Sequence, residues 1–231
     1  MSDSEPAITR VTGTTQFVQG YAREALWSYK WAGLDDKGNP QIYGKDGQKV
    51  LVPEIDALEY SGTRRPKYTG GWINQFRYKA VELSFMMVYN FGHVLRREIP
   101  TMNPWESTPQ TNEQIGQRWR KPGDELITDI PSIMDLNNFY DRRNYPTLYS
   151  NNSVINGGFV RFREIQLNYS LPKKLIGSTP LKLLRVYGQV NNLGIMTKNG
   201  YNIDPEANDS LTGAYNLPEP VTYTLGIKAD F

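Results

Sequence analysis

The 231-residue chain contains no cysteine and a single histidine, which narrows the chemistry open to it. Without cysteine, disulfide bonds, thiolate metal ligands and cysteine nucleophiles are excluded. A zinc site or a Ser-His-Asp triad would have to rely on His93 alone. We therefore expect His93 to be an ordinary residue where a strand ends and a loop begins.

Long apolar runs and an excess of charge of one sign are also missing. No window of about 18 apolar residues predicts a membrane helix. The 26 Lys and Arg residues against 24 Asp and Glu residues leave a formal net charge of +2, which does not indicate a nucleic-acid partner. Residues Met1–Pro6 lack the basic and apolar regions of a secretory signal, so any export signal is expected elsewhere.

Aromatic residues are abundant in an otherwise polar composition. Aromatics make up 12% of the chain, including 15 Tyr and 5 Trp, while hydrophobic residues reach only 39% and the mean hydropathy is −0.57. A membrane strand exposes only every second residue to lipid, and the lumen and loops of a barrel are polar. The composition is therefore typical of a transmembrane β-barrel.

The last eleven residues, 221–231, alternate between apolar and polar side chains. The apolar positions are Val221, Tyr223, Leu225, Ile227 and Ala229. This period predicts a strand with one apolar and one polar face, and at about 3.3 Å per residue it is long enough to cross a bilayer when tilted. A sandwich strand would alternate in the same way, so the pattern alone leaves both structures open.

Four further strands are predicted by alternation. They are the hairpin 69–78 and Val81–Phe91, joined by Lys79-Ala80, and then Phe159–Ser170 and Leu181–Asn191. The connections alternate between short (79–80, 171–180) and long (92–158, 192–220). Long loops at one end and short turns at the other are typical of outer-membrane barrels, with the long loops extracellular and the carboxy-terminus periplasmic.

The number of strands limits this interpretation. Even the smallest membrane barrels need about eight strands, and an open sheet leaves edge groups without partners in lipid. We therefore predict an all-β fold of antiparallel strands that forms the carboxy-terminal portion of a large transmembrane β-barrel. Other hypotheses remain open: a soluble extracellular β-rich carbohydrate-binding domain or esterase, and a small barrel assembled from several copies.

A series of local motifs occurs in a fixed order along the chain. They are Ala32-Gly-Leu-Asp35 with Gly38-Asn-Pro40, Arg65-Pro-Lys-Tyr68 with Gly70-Gly71, Phe76-Arg-Tyr-Lys79, Asn90-Phe-Gly-His93, Arg118-Trp-Arg-Lys-Pro-Gly-Asp124 with Thr128-Asp-Ile-Pro131, Phe159-Val-Arg-Phe-Arg-Glu164, Asn168-Tyr-Ser-Leu-Pro172, Arg185-Val-Tyr-Gly-Gln189, Asn192-Leu193, Asp204-Pro-Glu206 and Tyr223-Thr-Leu-Gly226 before Phe231. The ordered set resembles the carboxy-terminal part of the SusC/RagA family of TonB-dependent outer-membrane transporters. Gly194-Ile195 departs from it, because the family often carries an aromatic residue there.

The resemblance implies a plugged barrel of about 22 strands that imports oligosaccharides or peptides under a SusD-like surface lipoprotein. Residues 1–231 would be the carboxy-terminal segment of that barrel, without the plug domain and the amino-terminal strands. The implied partners are the lipoprotein, the TonB complex acting through the plug, the rest of the barrel and outer-membrane lipid. Because TonB would supply the energy, we expect no catalytic residue, metal or cofactor here, and the substrate-binding residues are unknown.

Several other residues have side chains that could contribute to a site. Asp35 and Asp36 lack the spacing of a calcium loop, so a turn is expected. Asp204 and Glu206 could share a face, but a role in loop structure is favoured over paired catalytic carboxylates. Five loop aromatics could stack on sugars, contact the lipoprotein or pack within the loop: Trp105, Trp119, Tyr140, Tyr145 and Tyr149. Three strand aromatics are expected in an interfacial girdle: Trp72, Phe76 and Tyr78.

Overall fold

The computed structural model describes residues 18–52, 57–100, 102, 113–134 and 144–231. These residues divide into two compact units. The loop unit takes in the described residues of 1–65, 93–156 and 208–216. The sheet unit consists of residues 66–92, 157–207 and 217–231.

Strands dominate both units. In chain order the strands are β1 (Ala25–Tyr29), β2 (Trp31–Leu34), β3 (Pro40–Tyr43), β4 (Lys49–Val50), β5 (Leu58–Thr63), β6 (Tyr68–Tyr78), β7 (Val81–Phe91), β8 (Val94–Arg96), β9 (Val154–Asn156), β10 (Phe159–Ser170), β11 (Leu183–Thr197) and β12 (Thr222–Asp230). The helices are α1 (Asn144–Tyr149) and α2 (Lys173–Ile176), with 3-10 turns at Glu113–Gln117, Asp124–Leu126 and Asn151–Ser153. No helix in the described part of the chain has the length and apolar character of a membrane span.

The sheet unit is a single meander of five strands. Their order is β6-β7-β10-β11-β12, and every neighbouring pair is antiparallel. β6 and β12 form the two edges, so the sheet is open. The predicted all-β antiparallel fold is confirmed for this unit.

Strand boundaries follow the alternation closely where the pairing is regular. The hairpin turn at Lys79-Ala80 is confirmed, with Lys79 at a positive φ of 53°, and so is the strand Phe159–Ser170. The predicted end of the fourth strand at Asn191 is wrong, because β11 continues to Thr197. The register of β10 shifts between Phe162 and Glu164 against both neighbours. That irregularity interrupts the alternation near Asn191, and the sequence there resembles a loop.

The loop unit is built from small sheets and a buried arginine. β1 pairs with β5, β2-β3-β4 form a second sheet, and β8 pairs with β9. Arg96 in β8 is 1% exposed, and its guanidinium donates to Trp27 O at 2.6 Å, Leu148 O at 3.0 Å and Ser153 Oγ at 2.7 Å. Burial lowers the pKa of Arg96 to about 10, so it stays charged at neutral pH. These bonds connect β8 with β1, α1 and the turn that follows α1.

A close approach between β11 and β12 gives a test of the sheet packing. A Cβ atom at Gly226 would overlap the ring of Tyr187, its direct cross-strand neighbour, whereas a Cβ at Gly194 would meet nothing within 4 Å. We expect Gly226→Val to destabilise the folded protein by about 1–3 kcal/mol, because the Tyr187 ring has to leave its position. The shift in urea unfolding midpoint in detergent measures this effect. Gly194→Val is the matched control, and an equal effect of the two variants would contradict the packing argument.

Candidate functional site

The sheet carries one continuous apolar face. Cross-strand pairing aligns Leu225, Gly188, Leu167, Leu83 and Phe76 in one row. The next row towards the short turns contains Ile227, Val186, Tyr169, Val81 and Tyr78. These side chains are largely exposed, with Leu225 at 88%. In water, a second layer of protein would have to cover these apolar rows. Lipid provides an apolar environment without such a layer.

The aromatic residues of β6 stand on this same face. Trp72 packs edge-on against Phe85 with ring centroids 5.9 Å apart, and Phe76 stacks on Phe85 at 6.2 Å. Tyr78 is exposed at the end of the strand. Trp72, Phe76 and Tyr78 share one face, as the two-residue period of strand 69–78 predicts, and their role in an interfacial girdle stays a prediction.

The opposite face of the sheet is a ladder of amide and carboxylate groups. Gln189 donates through Nε2 to Glu164 Oε2 and to Asn191 Oδ1, each at 2.9 Å. Gln166 donates to Asn168 Oδ1 at 2.9 Å. The face is therefore polar and hydrogen-bonded along its strands, as the lumen side of a barrel wall requires.

An ion-pair network lies on the polar face, at the end of the sheet from which the long connections leave. The side chain of Arg161 in β10 is 5% exposed, and its Nη2 lies 2.5 and 2.6 Å from the two carboxylate oxygens of Asp204. Its Nε lies 2.5 Å from Glu206 Oε2. Arg163 also pairs with Glu206, and its Nη1 lies 3.7 Å from Glu219. These ion pairs hold residues 204–206 against β10.

The structure confirms the structural interpretation of Asp204 and Glu206. Both carboxylates bind Arg161, and the amide of Glu206 donates to Asp204 Oδ1 at 3.0 Å. Arg161 and Arg163 are not among the residues predicted from the sequence. In the sequence both arginines are in phase with Ile165 and Leu167 of the apolar face, and only the register shift between Phe162 and Glu164 places Arg161 opposite Val88 on the polar face, so the alternation gave no signal for them.

The remaining candidates of the sequence analysis lie in the loop unit. His93, which precedes β8 in the sequence, is buried, and burial lowers its pKa. Asp35 accepts hydrogen bonds from the amides of Lys37 and Asn39 at 2.9 and 2.8 Å, which confirms the expected turn. Within the described ranges no group of three or more His, Asp or Glu residues could hold a metal ion.

The loop aromatics that the structure describes are packed within the unit. Trp119 donates through Nε1 to Glu125 at 3.0 Å, and this bond is the main cause of the lowered pKa of Glu125. The Trp119 ring also fills the space beside Gly38, and Tyr149 packs against the core of Tyr29 and Ile42. Both support the loop-packing interpretation. Trp105 and Tyr140 lie outside the described residues, as does the side chain of Tyr145.

Comparison with known proteins identifies the fold. No protein-family model matches the chain. It is 31% identical over 178 residues to the TonB-dependent receptor P39 of Formosa agariphila, covering 75% of this chain and 16% of that receptor. It is 21% identical to TonB-dependent receptor P3 of the same organism, covering 99% of this chain and 24% of the receptor. The chain thus spans a quarter or less of the relatives' length.

Solved structures show the same likeness. The RagAB peptide importer in its 'open-open' state matches with a TM-score of 0.65 at 21% identity, over 92% of this chain and 23% of that one. The 'closed-closed' state matches with a TM-score of 0.64 at 22% identity, over 90% of this chain and 23% of that one.

The two-faced open meander and this fold likeness define the class of protein: the strands are part of the wall of a large transmembrane β-barrel. The resemblance to the carboxy-terminal part of the SusC/RagA-type TonB-dependent receptors of the outer membrane is confirmed. The curated relatives are TonB-dependent receptors, which are not enzymes, in agreement with the expectation that this segment is not an enzyme.

The ion-pair network gives a direct prediction. Arg161→Met leaves the buried carboxylate of Asp204 without its partner, so we expect a loss of about 3–5 kcal/mol in unfolding free energy and faster proteolysis within residues 198–207. Arg163→Met, at a side chain 29% exposed, should cost less. Arg161→Met combined with Asp204→Leu should recover part of the loss, because no charge is then left buried. Urea titration and limited proteolysis in detergent measure all three, and equal losses would contradict the network.

Proposed function

We propose that the chain supplies wall strands and extracellular loops to a TonB-dependent importer of oligosaccharides or peptides. The observation that carries this proposal is the separation of the five-stranded sheet into an exposed apolar face and a hydrogen-bonded polar face. Strands of 9 to 15 residues are long enough to span the membrane, and their two faces fit the hydrocarbon core on one side and a substrate-conducting lumen on the other.

The connections support an orientation. Both long connections, after Phe91 and after Thr197, leave from the same end of the sheet, since Phe159 pairs with Asn90 and with Thr197. The short connections leave from the opposite end. With the long connections extracellular, the carboxy-terminus is periplasmic.

The partners follow from the same proposal. A SusD-like surface lipoprotein would cover the extracellular side, as the two-component name of the RagAB importer suggests for this class. TonB would act on a plug domain, and the remaining strands of the barrel would pair with the edges β6 and β12, because unpaired edge groups are not tolerated in lipid. No residue of this chain is assigned to substrate.

The membrane-facing assignment is tested by one pair of variants in the last strand. Leu225 lies at the middle of β12 on the apolar face, and its neighbour Thr224 lies on the polar face. Leu225→Arg should cost about 2–4 kcal/mol, because the guanidinium would enter the middle of the bilayer, whereas Thr224→Arg should be nearly neutral. The measurement is the amount of folded protein in the outer membrane and its urea midpoint after extraction in detergent.

The unaltered protein is the second control. It should stay with the membrane fraction until detergent is added. A monodisperse monomer in buffer without detergent, or equal losses for Leu225→Arg and Thr224→Arg, would overturn the proposal in favour of a soluble β-rich domain.

A further inference from the structure

The end of the sheet with the short turns has an excess of positive charge. Lys79 lies in the β6–β7 turn, Lys173 and Lys174 begin α2, and Lys182 directly precedes β11; all four side chains are exposed. The connection from Leu171 to Leu183 contains three of these lysines and no acidic residue. We call these four residues the basic rim.

Within the described part of the chain the rim lysines have no acidic side chain as a partner, although the ammonium group of Lys182 is hydrogen-bonded to Phe231 O. Among the described residues none of the four forms an ion pair with an aspartate or glutamate. The nearby acids belong to the polar face: Glu82 pairs with Arg77, and Asp230 shares the phase of Gly226 on β12. The arginines of β10 at the other end of the sheet are, by contrast, paired with carboxylates.

Two of the lysines adjoin the apolar face. The Nζ of Lys79 lies 5.1 Å from the ring centroid of Tyr78, which is 73% exposed on that face. Lys182 extends the β11–β12 ladder through its amide, which donates to Asp230 O at 2.7 Å, and its Nζ donates to Phe231 O at 2.7 Å. Beside Lys174, the side chain of Leu175 is 67% exposed. Ammonium groups next to exposed apolar side chains fit the boundary between lipid headgroups and acyl chains.

We propose that the basic rim binds the phosphates of anionic phospholipids in the leaflet that it meets, the periplasmic leaflet in the proposed orientation. This inference rests on the proposed function, since it requires the sheet to span a membrane. Clustered lysines beside a membrane surface attract anionic headgroups, each with an effect of about fivefold on partitioning. The neighbouring apolar side chains favour a phospholipid as the ligand, because its phosphate can bind the ammonium groups while its acyl chains contact the exposed Leu175.

The test uses the protein extracted from its native membrane and reconstituted into vesicles of phosphatidylcholine with a minor fraction of phosphatidylglycerol. Native mass spectrometry after re-extraction counts the lipids of each kind that the protein retains. The unaltered protein should retain phosphatidylglycerol well above its share in the vesicle. The variant Lys79→Gln, Lys173→Gln, Lys174→Gln and Lys182→Gln should lose that enrichment by about tenfold or more.

The matched control removes the same kind of charge from exposed lysines of the loop unit, by Lys37→Gln, Lys49→Gln and Lys121→Gln, and should keep the enrichment. Flotation of the vesicles distinguishes the two possible failures. If the protein does not float with these vesicles, the membrane assignment itself fails and this inference with it. If it floats but shows no phosphatidylglycerol enrichment, or if the rim variant enriches the lipid as the unaltered protein does, only this inference is overturned.

Discussion

The structure of the sheet unit depends on one constraint: in hydrocarbon, every backbone amide and carbonyl needs a partner within the protein. An antiparallel meander satisfies this for its inner strands, because each of β7, β10 and β11 bonds to a neighbour on both sides. The same pairing fixes which side chains share a face. Once Leu225 faces lipid, Gly188, Leu167, Leu83 and Phe76 have to face lipid as well, and the two-residue period extends across the whole sheet.

This dependence explains how much of the fold could be predicted from the sequence. The strands with an uninterrupted two-residue period, such as Val81–Phe91, could be placed to the residue, and the two-residue turn at Lys79-Ala80 followed from them. The continuation of β11 beyond Asn191 could not be predicted, because the bulge opposite Phe162 changes the phase of the alternation. A bulge is defined by the register between two paired strands, and the sequence of one strand does not reveal that register.

The ion-pair network could not be predicted from the sequence either, because it also depends on which segments the fold brings together. Arg161 binds carboxylates 43 and 45 positions away, and only the fold brings the segment of Asp204 back to the strand. Opposite charges are frequent enough in this sequence that many pairings were possible. The polar face itself was predictable in character, since Gln166, Asn168 and Gln189 lie on the polar phase, but the bonds among them depend on the observed register.

The contacts of the loop unit are the hardest to predict from the sequence. Besides the hydroxyl of Ser153, the buried guanidinium of Arg96 donates to backbone carbonyls, those of Trp27 and Leu148. Carbonyl oxygens are present at every residue, so the sequence does not say which of them accept.

Buried and exposed cations require different surroundings. A buried arginine such as Arg161 or Arg96 needs fixed acceptors, because desolvation without them costs several kcal/mol. The exposed lysines of the basic rim have no such requirement, since water or a headgroup can solvate them. Their clustering therefore does not stabilise the fold and brings like charges together. A surface that keeps such a cluster beside exposed apolar side chains is suited to an anionic amphiphile, and a phospholipid supplies both the phosphate and the acyl chain.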